Sequence, residues 1–138
     1  MIISQACKYG IRAVLYLADH GPEPLLSKQI AADLNIPSHF LAKILQDLSR
    51  HGLLLSFKGR GGGFKLARPA EEIALLEVVQ AIAGHQFGEG CLLGLPKCCP
   101  DKPCTLHHQW EGIKGQIMDL LSDKSIRVLL EETRHHAD

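Results

Sequence analysis

The sequence has no apolar run long enough to cross a bilayer, no leader segment at its start and no excess of charge of either sign. Its longest apolar stretches, at residues 53–55 and 73–76, fall far short of the roughly 20 residues that a transmembrane helix needs. Residues 1–4 turn polar at once and lack the basic and apolar regions of a signal peptide. We therefore expect a cytoplasmic protein without a membrane partner.

The composition is that of one folded domain. The chain has 138 residues, of which 46% are hydrophobic and 22% are charged, and these proportions are typical of globular proteins. Its net charge is zero, but residues 1–66 contain eight Lys and Arg against four Asp and Glu, whereas residues 67–138 contain seven against eleven. This asymmetry favours a nucleic-acid-binding face in the first half, with uneven surface charge as the alternative.

A pair of short helices joined by a tight turn is predicted after a longer first helix. The first helix runs over residues 4–20. Ser27 is expected to cap a helix over residues 28–34, and residues 35–37 break the chain before a third helix that starts at Ser38. The apolar residues of this third helix recur at helical spacing: Phe40, Leu41, Ile44, Leu45 and Leu48. The arrangement indicates a helix-turn-helix.

A glycine-rich hairpin follows directly. Residues 53–57 and 64–67 are predicted strands, and the six residues between them combine Lys58 and Arg60 with four glycines that permit positive φ. After a helix-turn-helix this is the layout of a wing, whose two cations would contact phosphates or a minor groove. Four outward residues of the third helix would face the major groove: Ser38, His39, Lys43 and Gln46. The alternative is a turn that only closes the hairpin.

The second half of the chain is predicted to hold two more helices separated by a loop. One helix runs over residues 75–83 and is closed by Gly84, and residues 84–103 are rich in Gly, Cys and Pro without a helical period. The last helix is expected over residues 105–132. Its apolar stripe comprises Trp110, Ile113, Ile117, Leu120, Leu121 and Val128. Such a stripe serves as core or as the surface through which two copies meet.

Four of the five cysteines lie within fourteen residues, a clustering that indicates metal or redox chemistry. Cys91, Cys98 and Cys104 are separated by six and five residues, and His107 follows Cys104 at i+3. Thiolates and imidazole suit an iron–sulfur cluster or zinc, and the wide spacing favours the cluster. Cys99 is the alternative to Cys98 as a ligand. The remaining alternative is that all four are free thiols that bind no ligand.

Two further expectations concern what lies outside this loop. Cys7 falls among apolar residues of the first helix and is expected to be a buried hydrophobe. No Ser–His–Asp order, HExxH helix or nucleophile elbow occurs in the sequence, so we do not expect an enzyme.

The predicted fold class is mainly α with a small β-wing, a winged helix-turn-helix domain plus a long C-terminal dimerisation helix. Residues 1–84 form the DNA-binding region, residues 85–104 the cysteine-rich cluster loop, and residues 105–138 the dimerisation helix and tail. The three parts are expected to make one integrated domain.

The sequence resembles the IscR/NsrR-like family of bacterial iron–sulfur transcriptional regulators over nearly its whole length. The resemblance rests on Tyr9-Gly10 and Ala13, the run Ile36-Pro37-Ser38-His39-Phe40-Leu41, Leu48 with Gly52-Leu53, the wing from Lys58 to Phe64, and the segment from Ile73 to Gly84. It implies a homodimer crossed by the last helices, with one winged helix-turn-helix on each operator half-site. RNA polymerase is a further candidate partner.

The resemblance also implies a ligand set. Three loop cysteines of the cluster-binding members map onto Cys91, Cys98 and Cys104, and the histidine of the 2Fe–2S regulator maps onto His107. Nitric-oxide-sensing members with a 4Fe–4S cluster use a carboxylate where this chain has Lys8. A 2Fe–2S cluster is therefore favoured, with 4Fe–4S as the alternative.

Two departures from the family pattern qualify this assignment. The first cysteine gap is one residue longer than usual, and Cys99 is additional. The glutamate that restricts operator choice in the iron–sulfur cluster regulator is replaced by Ala42, so no discrimination between operator classes is expected.

The functional hypothesis is that the cluster ties the loop to the start of the dimer helix, and that its loss changes the spacing of the two reading heads. Structural zinc or a thiol switch at the adjacent Cys98 and Cys99 is one alternative. A metal-loop module that binds another protein is a second.

Overall fold

The computed structural model describes residues 3–90 and 105–134, and these form a mainly helical fold with a small antiparallel sheet, as predicted. The helices are α1 (Gln5–His20), α2 (Ser27–Leu34), α3 (Ser38–Arg50), α4 (Leu75–Ala83), α5 (His107–Asp123) and α6 (Ile126–Arg134). The strands are β1 (Leu54–Phe57) and β2 (Gly63–Leu66), and a 3-10 turn spans Ala70–Glu72.

Helix α1 is the centre of the core and packs against α3, α4 and α6. It begins where the Ser4 hydroxyl accepts a hydrogen bond from the Cys7 amide at 3.2 Å, which satisfies one of the free amides of the first turn. The Cys7 side chain is 1% exposed and packs with Val79 and Leu121. The prediction that it is a buried hydrophobe is confirmed.

The turn between α2 and α3 has the predicted form. Asn35 adopts a left-handed conformation with φ 56°, and its amide donates to the carbonyls at the end of α2. The predicted cap by Ser27 is wrong, because Ser27 is itself the first helical residue and the N-cap is Leu26, whose side chain cannot accept a hydrogen bond. The chain enters α2 from an extended segment instead.

A third backbone segment, at Leu25, pairs with the hairpin. Strands β1 and β2 pair from Leu54 with Leu66 to Phe57 with Gly63, and Phe64 exchanges two backbone hydrogen bonds with Leu25, of 2.8 and 2.9 Å. A side chain at Gly63, whose φ is 135°, would collide with the Leu25 backbone. Glycine at this position therefore lets the hairpin lie directly against the segment that precedes α2.

The single long C-terminal helix that we predicted is in fact two helices. Lys124 is extended (φ −101°, ψ 123°), its carbonyl accepts from Leu75 N–H at 2.8 Å, and Ile126 N–H donates to the Ile73 carbonyl at 2.9 Å. Ile126 is fully buried. These two backbone hydrogen bonds replace helical ones at the break, and the burial of Ile126 stabilises it. Val128 therefore lies on α6 and does not continue the α5 stripe.

Helix α6 returns to pack against α1. Arg134 pairs with Asp19 of α1, and Arg127 pairs with Glu71 of the 3-10 turn at 3.1 Å. The hydrogen bond from Arg134 lowers the pKa of Asp19 below its usual value. The end of the described chain is thereby tied to α1 and to the 3-10 turn.

Glu77 closes the start of α4. One of its carboxylate oxygens accepts the Ala74 amide at 2.9 Å and the other accepts Arg68 at 2.7 Å. Burial acts to raise the pKa of Glu77, but these two hydrogen bonds outweigh it and leave the pKa lower than usual. Glu77 is therefore a carboxylate at neutral pH.

We expect Glu77→Gln to lower the free energy of unfolding at pH 7 by about 0.5–1 kcal/mol, a small effect because the ion pair is more than a third exposed. Because folding lowers the pKa of Glu77, its full contribution to the free energy of unfolding is present at neutral pH. That contribution is lost as the pH falls through the folded-state pKa. Urea unfolding of both proteins at pH 7 and at about pH 3.5 measures this. A difference that persists unchanged in acid would assign the effect to packing instead.

Within residues 3–90 and 105–134, no helix has both the length and the apolar character that crossing a membrane requires.

Candidate nucleic-acid interface and cysteine loop

Helix α3 has one buried face and one exposed face. Leu41, Ile44, Leu45 and Leu48 are each at most 4% exposed and form part of the main core. The four residues predicted to read the major groove all lie exposed: Ser38, His39, Lys43 and Gln46. The structure thus makes these side chains accessible, and their contact with DNA stays a prediction.

Phe40 departs from the predicted apolar stripe. It is 55% exposed, and its ring lies 4.7 Å from the ring of His39. Phe40 lies in the first turn of α3, about 100° around the helix from Leu41, which places it at the margin of the buried face. It therefore adds an apolar group to the exposed end of the helix.

The hairpin tip presents the two predicted cations. Lys58 and Arg60 are exposed, and they alternate with Gly59 and Gly61, which both adopt positive φ. Within the described part of the chain, Lys43, Lys58 and Arg60 take part in no ion pair. Their charges remain available to a polyanion.

A groove of about 460 Å³ separates α3 from the hairpin. It is lined by Lys43, Gln46, Asp47, Ser49, Arg50, Ser56 and Phe64. Arg50, paired with Asp47, was missed by the sequence analysis, although its spacing of seven residues from Lys43 places both on one face of the helix. A larger cavity of about 500 Å³, between α1, β2 and α6, contains none of the predicted site residues.

Of the predicted cluster ligands, the structure describes His107 and not the cysteines. Cys91, Cys98, Cys99 and Cys104 lie outside the described residues, whereas His107 is the first residue of α5, half-buried and edge-on to His108 at 5.3 Å. Among residues 3–90 and 105–134 no group of three or more His, Cys, Asp or Glu side chains is placed to hold a metal ion. The thiol ligands stay a prediction.

The residue that precedes Cys91 is anchored to α5. The Gly90 carbonyl accepts hydrogen bonds from the Trp110 indole N–H at 3.0 Å and from the Lys114 ammonium at 3.2 Å. Lys114 is 8% exposed and also pairs with Glu111 at 2.8 Å. Lysine is rarely so buried without partners, and here its partners are this carbonyl and this carboxylate.

Trp110 was predicted to belong to the apolar stripe, and Lys114 was not predicted to have a role. The available signal was helical spacing, since His107, Trp110 and Lys114 recur at steps of three and four residues and so share one face of α5. Gly90, directly before the first loop cysteine, thus lies against the first turns of this helix.

The apolar stripe of α5 is divided between the core and the surface. Leu121 is buried against the core, whereas Ile113 and Leu120 are 48% and 57% exposed. Two large exposed apolar side chains, seven residues apart on one helix face, are typical of a surface that another molecule covers.

The model of the Rrf2 family, described as an iron-dependent transcriptional regulator, matches residues 3–132. A protein of Aquifex aeolicus named as an HTH-type transcriptional regulator is 35% identical over 99% of this chain and 96% of its own length. The HTH-type transcriptional regulator IscR of Photorhabdus laumondii is 29% identical over 94% of this chain and 79% of its own.

A solved structure shares the fold. CymR, described as the global cysteine regulator of B. subtilis, superposes with a TM-score of 0.77 over 94% of this chain and 96% of its own, at 23% identity.

Proposed function

Because this chain belongs to the Rrf2 family of transcriptional regulators, we propose that it binds operator DNA as a homodimer and that an iron–sulfur cluster in its cysteine loop adjusts that binding. The proteins it resembles are named as regulators and not as enzymes. The observation that carries the proposal is the exposed polar face of α3 beside a hairpin tip whose cations have no ion-pair partner in the described chain.

On DNA, α3 lies in the major groove and the wing lies on the backbone. Side chains of the reading face, His39 and Gln46 among them, offer donors and acceptors to base edges. Lys58 and Arg60 at the wing tip replace counterions on the phosphates or in the adjacent minor groove. Because its target is chromosomal DNA, the protein acts in the cytoplasm.

A second copy covers the exposed stripe of α5. Pairing through Ile113 and Leu120 removes two large apolar side chains from water and places two reading helices on one operator. A dimer of this kind reads two half-sites, so its affinity depends on both being engaged at once.

We expect Leu120→Glu to convert the dimer into a folded monomer, because a charge at this position has to be desolvated in the dimer but not in the monomer. Sedimentation velocity measures the change, and the variant should also bind a two-half-site operator at least about tenfold more weakly. Ser122→Glu, exposed on another side of α5, is the matched control. A Leu120→Glu protein that stays dimeric would exclude this surface.

The donor set of the loop fits an iron–sulfur cluster. Cys91, Cys98 and Cys104 would hold it with His107, and Cys99 is the alternative to Cys98. When bound, the cluster supplies an iron- and redox-dependent cross-link of favoured 2Fe–2S type, with 4Fe–4S as the alternative. Support comes from the family's description as iron-dependent, from His107 at the start of α5, and from Gly90 held against the same helix.

The anchor at Gly90 gives the loop a fixed point of departure, directly before Cys91. We expect Lys114→Met, which keeps the length of the side chain but removes its ammonium, to loosen this anchor and lower iron retention by about tenfold. The rate of iron transfer to a chelator measures the effect. Lys124→Met on the extended turn is the control, and equal rates for both variants would assign Lys114 a purely structural role.

A thiol switch is the second candidate. The adjacent pair Cys98 and Cys99 departs from a three-cysteine ligand set, and CymR, which shares the fold, is described as a cysteine regulator. In this case the spacing of the two helix-turn-helix units changes when the thiols are oxidised. Structural zinc in the loop would likewise leave the protein colourless.

Anaerobic purification followed by absorbance, iron and sulfide analysis distinguishes these candidates. A coloured protein with iron and acid-labile sulfide in equal amounts supports the cluster. Colourless protein that contains no iron and takes up none on reconstitution would exclude the cluster and leave the DNA-binding part of the proposal intact.

A further inference from the structure

Two histidines meet on the surface where α3 and α4 end. His51 is the residue that closes α3, and His85 follows the end of α4, 34 residues later in the sequence. Their ring centroids are 6.3 Å apart, and the ring planes are inclined by 58°. Neither residue belongs to the predicted DNA-reading face or to the predicted cluster ligands, and His85 precedes Cys91 by six residues.

The proton of the His51 ring is placed by its surroundings. Its Nδ1 lies 2.8 Å from the Asp47 carbonyl, and because a carbonyl oxygen only accepts, Nδ1 carries the hydrogen. The Nε2 lone pair is then free to bind a ligand. Metal-binding histidines characteristically donate their second N–H to a carbonyl or carboxylate in this way.

The position of His85 follows from the glycine before it. Gly84 ends α4 with φ 100°, a conformation that other residues rarely adopt, and the chain turns there toward α3. In the described part of the chain the His85 imidazole makes no hydrogen bond, and its ring contact is with His51. Both histidines are exposed, so a solute can reach them.

The ring separation suits a shared metal ion. A metal–nitrogen bond of about 2.1 Å, added to the radius of the ring, allows the centroids of two imidazoles on one ion to lie up to about 6.5 Å apart. The observed 6.3 Å falls within this limit. A tetrahedral angle at the metal needs the rings about 1 Å closer, a change that rotation of two exposed side chains supplies.

Both rings line a small cavity of about 150 Å³. Leu53 and Ala81 are buried beneath it, and Glu77 and Gln80 complete its lining. Such a volume accommodates an ion with several waters. The Glu77 carboxylate in this lining is already paired with Arg68, so the two imidazoles are the ligands that the cavity offers.

We propose that His51 and His85 form a surface site for a borderline divalent transition-metal ion of the Ni²⁺, Cu²⁺ or Zn²⁺ class, which imidazole ligands suit. The described residues supply two ligands, in keeping with the absence of any larger ligand group among them, and water completes the coordination. An ion bound here links the end of the reading helix to the first residue after α4. The site requires neither the cluster nor DNA.

Ni²⁺ titration followed by NMR of the histidine ring protons tests this in the full-length protein. The His51 and His85 signals are expected to broaden together, before that of the exposed His20. In His85→Gln the His51 signal should need at least about tenfold more Ni²⁺ for the same broadening, because a single imidazole lacks the chelate advantage. His51→Gln should affect His85 in the same way, and His20→Gln should affect neither.

Ion binding at the cysteines does not mimic this result, because the readout is the dependence of one histidine on the other. If His51 broadens at the same Ni²⁺ concentration in His85→Gln as in the unmodified protein, the two rings bind independently and the proposal is wrong. It is equally wrong if neither signal responds while His20 does.

Discussion

Replacing Lys58 and Arg60 together by alanine is expected to weaken operator binding by about 10- to 100-fold at physiological salt, and to reduce the slope of log affinity against log salt concentration by about two. Both side chains are exposed at the hairpin tip, and within the described chain neither is committed to an ion pair. Their loss removes two phosphate contacts and the counterion release that accompanies them. Preference among operator sequences should change little, because phosphate contacts carry no base information.

Lys124→Ala with Arg127→Ala is the matched control, since it removes the same charge from the region of α6. Fluorescence anisotropy at four or more salt concentrations gives both slopes. Identical slopes for the wing variant and the unmodified protein would mean that the hairpin does not touch DNA, and the glycine-rich tip would then only close a turn.

Replacing Cys91, Cys98 and Cys104 by alanine is expected to give a colourless dimer that binds the operator at least about tenfold more weakly. The chain then loses the cluster that we propose ties these cysteines to the start of α5, the helix that we propose joins the two subunits. A mismatch in half-site spacing costs part of the contacts of one half-site, and each lost base-pair contact is worth about 1–3 kcal/mol. Absorbance, sedimentation and operator affinity are measured on one preparation.

Cys99→Ala is the control for the middle ligand. If Cys98 ligates, this variant keeps colour and affinity, whereas loss of colour would transfer the role to Cys99. A triple variant that assembles, stays colourless and yet binds its operator with unchanged affinity would rule out any coupling between the loop and DNA binding.

Local signals were sufficient to predict the reading head. The period of apolar residues in α3, the left-handed turn at Asn35 and the glycine-rich hairpin each depend on a few neighbouring residues, and the structure has all three. The predicted cap at Ser27 was wrong because α2 starts one residue earlier than predicted, at Ser27 itself. The segment before it is extended and pairs with the hairpin at Leu25.

Features that depend on distant residues were not predictable in this way. The break between α5 and α6 arises because Ile126 and Lys124 pair with backbone some 50 residues earlier, which no periodicity reveals. The anchor of Gly90 on Lys114 and the contact of His51 with His85 likewise join separate elements. Their residue types are visible in the sequence, but their proximity is a property of the packed helices.

The sites themselves divide in the same manner. Exposure of the predicted reading residues could be inferred from the buried face opposite them, because a helix with one apolar stripe leaves its other side in water. The cysteine ligands were inferred from residue type and spacing, and they lie outside the described residues, so chemical analysis of the protein must decide them.

Coupling between the cluster and DNA binding is tested most simply on one anaerobic preparation. Its operator affinity is measured before and after a chelator removes the iron, and again after reconstitution with iron and sulfide. If the cluster adjusts DNA binding, affinity falls by at least about tenfold on removal and returns with the colour. Affinity that is the same in all three states, in protein whose iron content demonstrably changes, would contradict it.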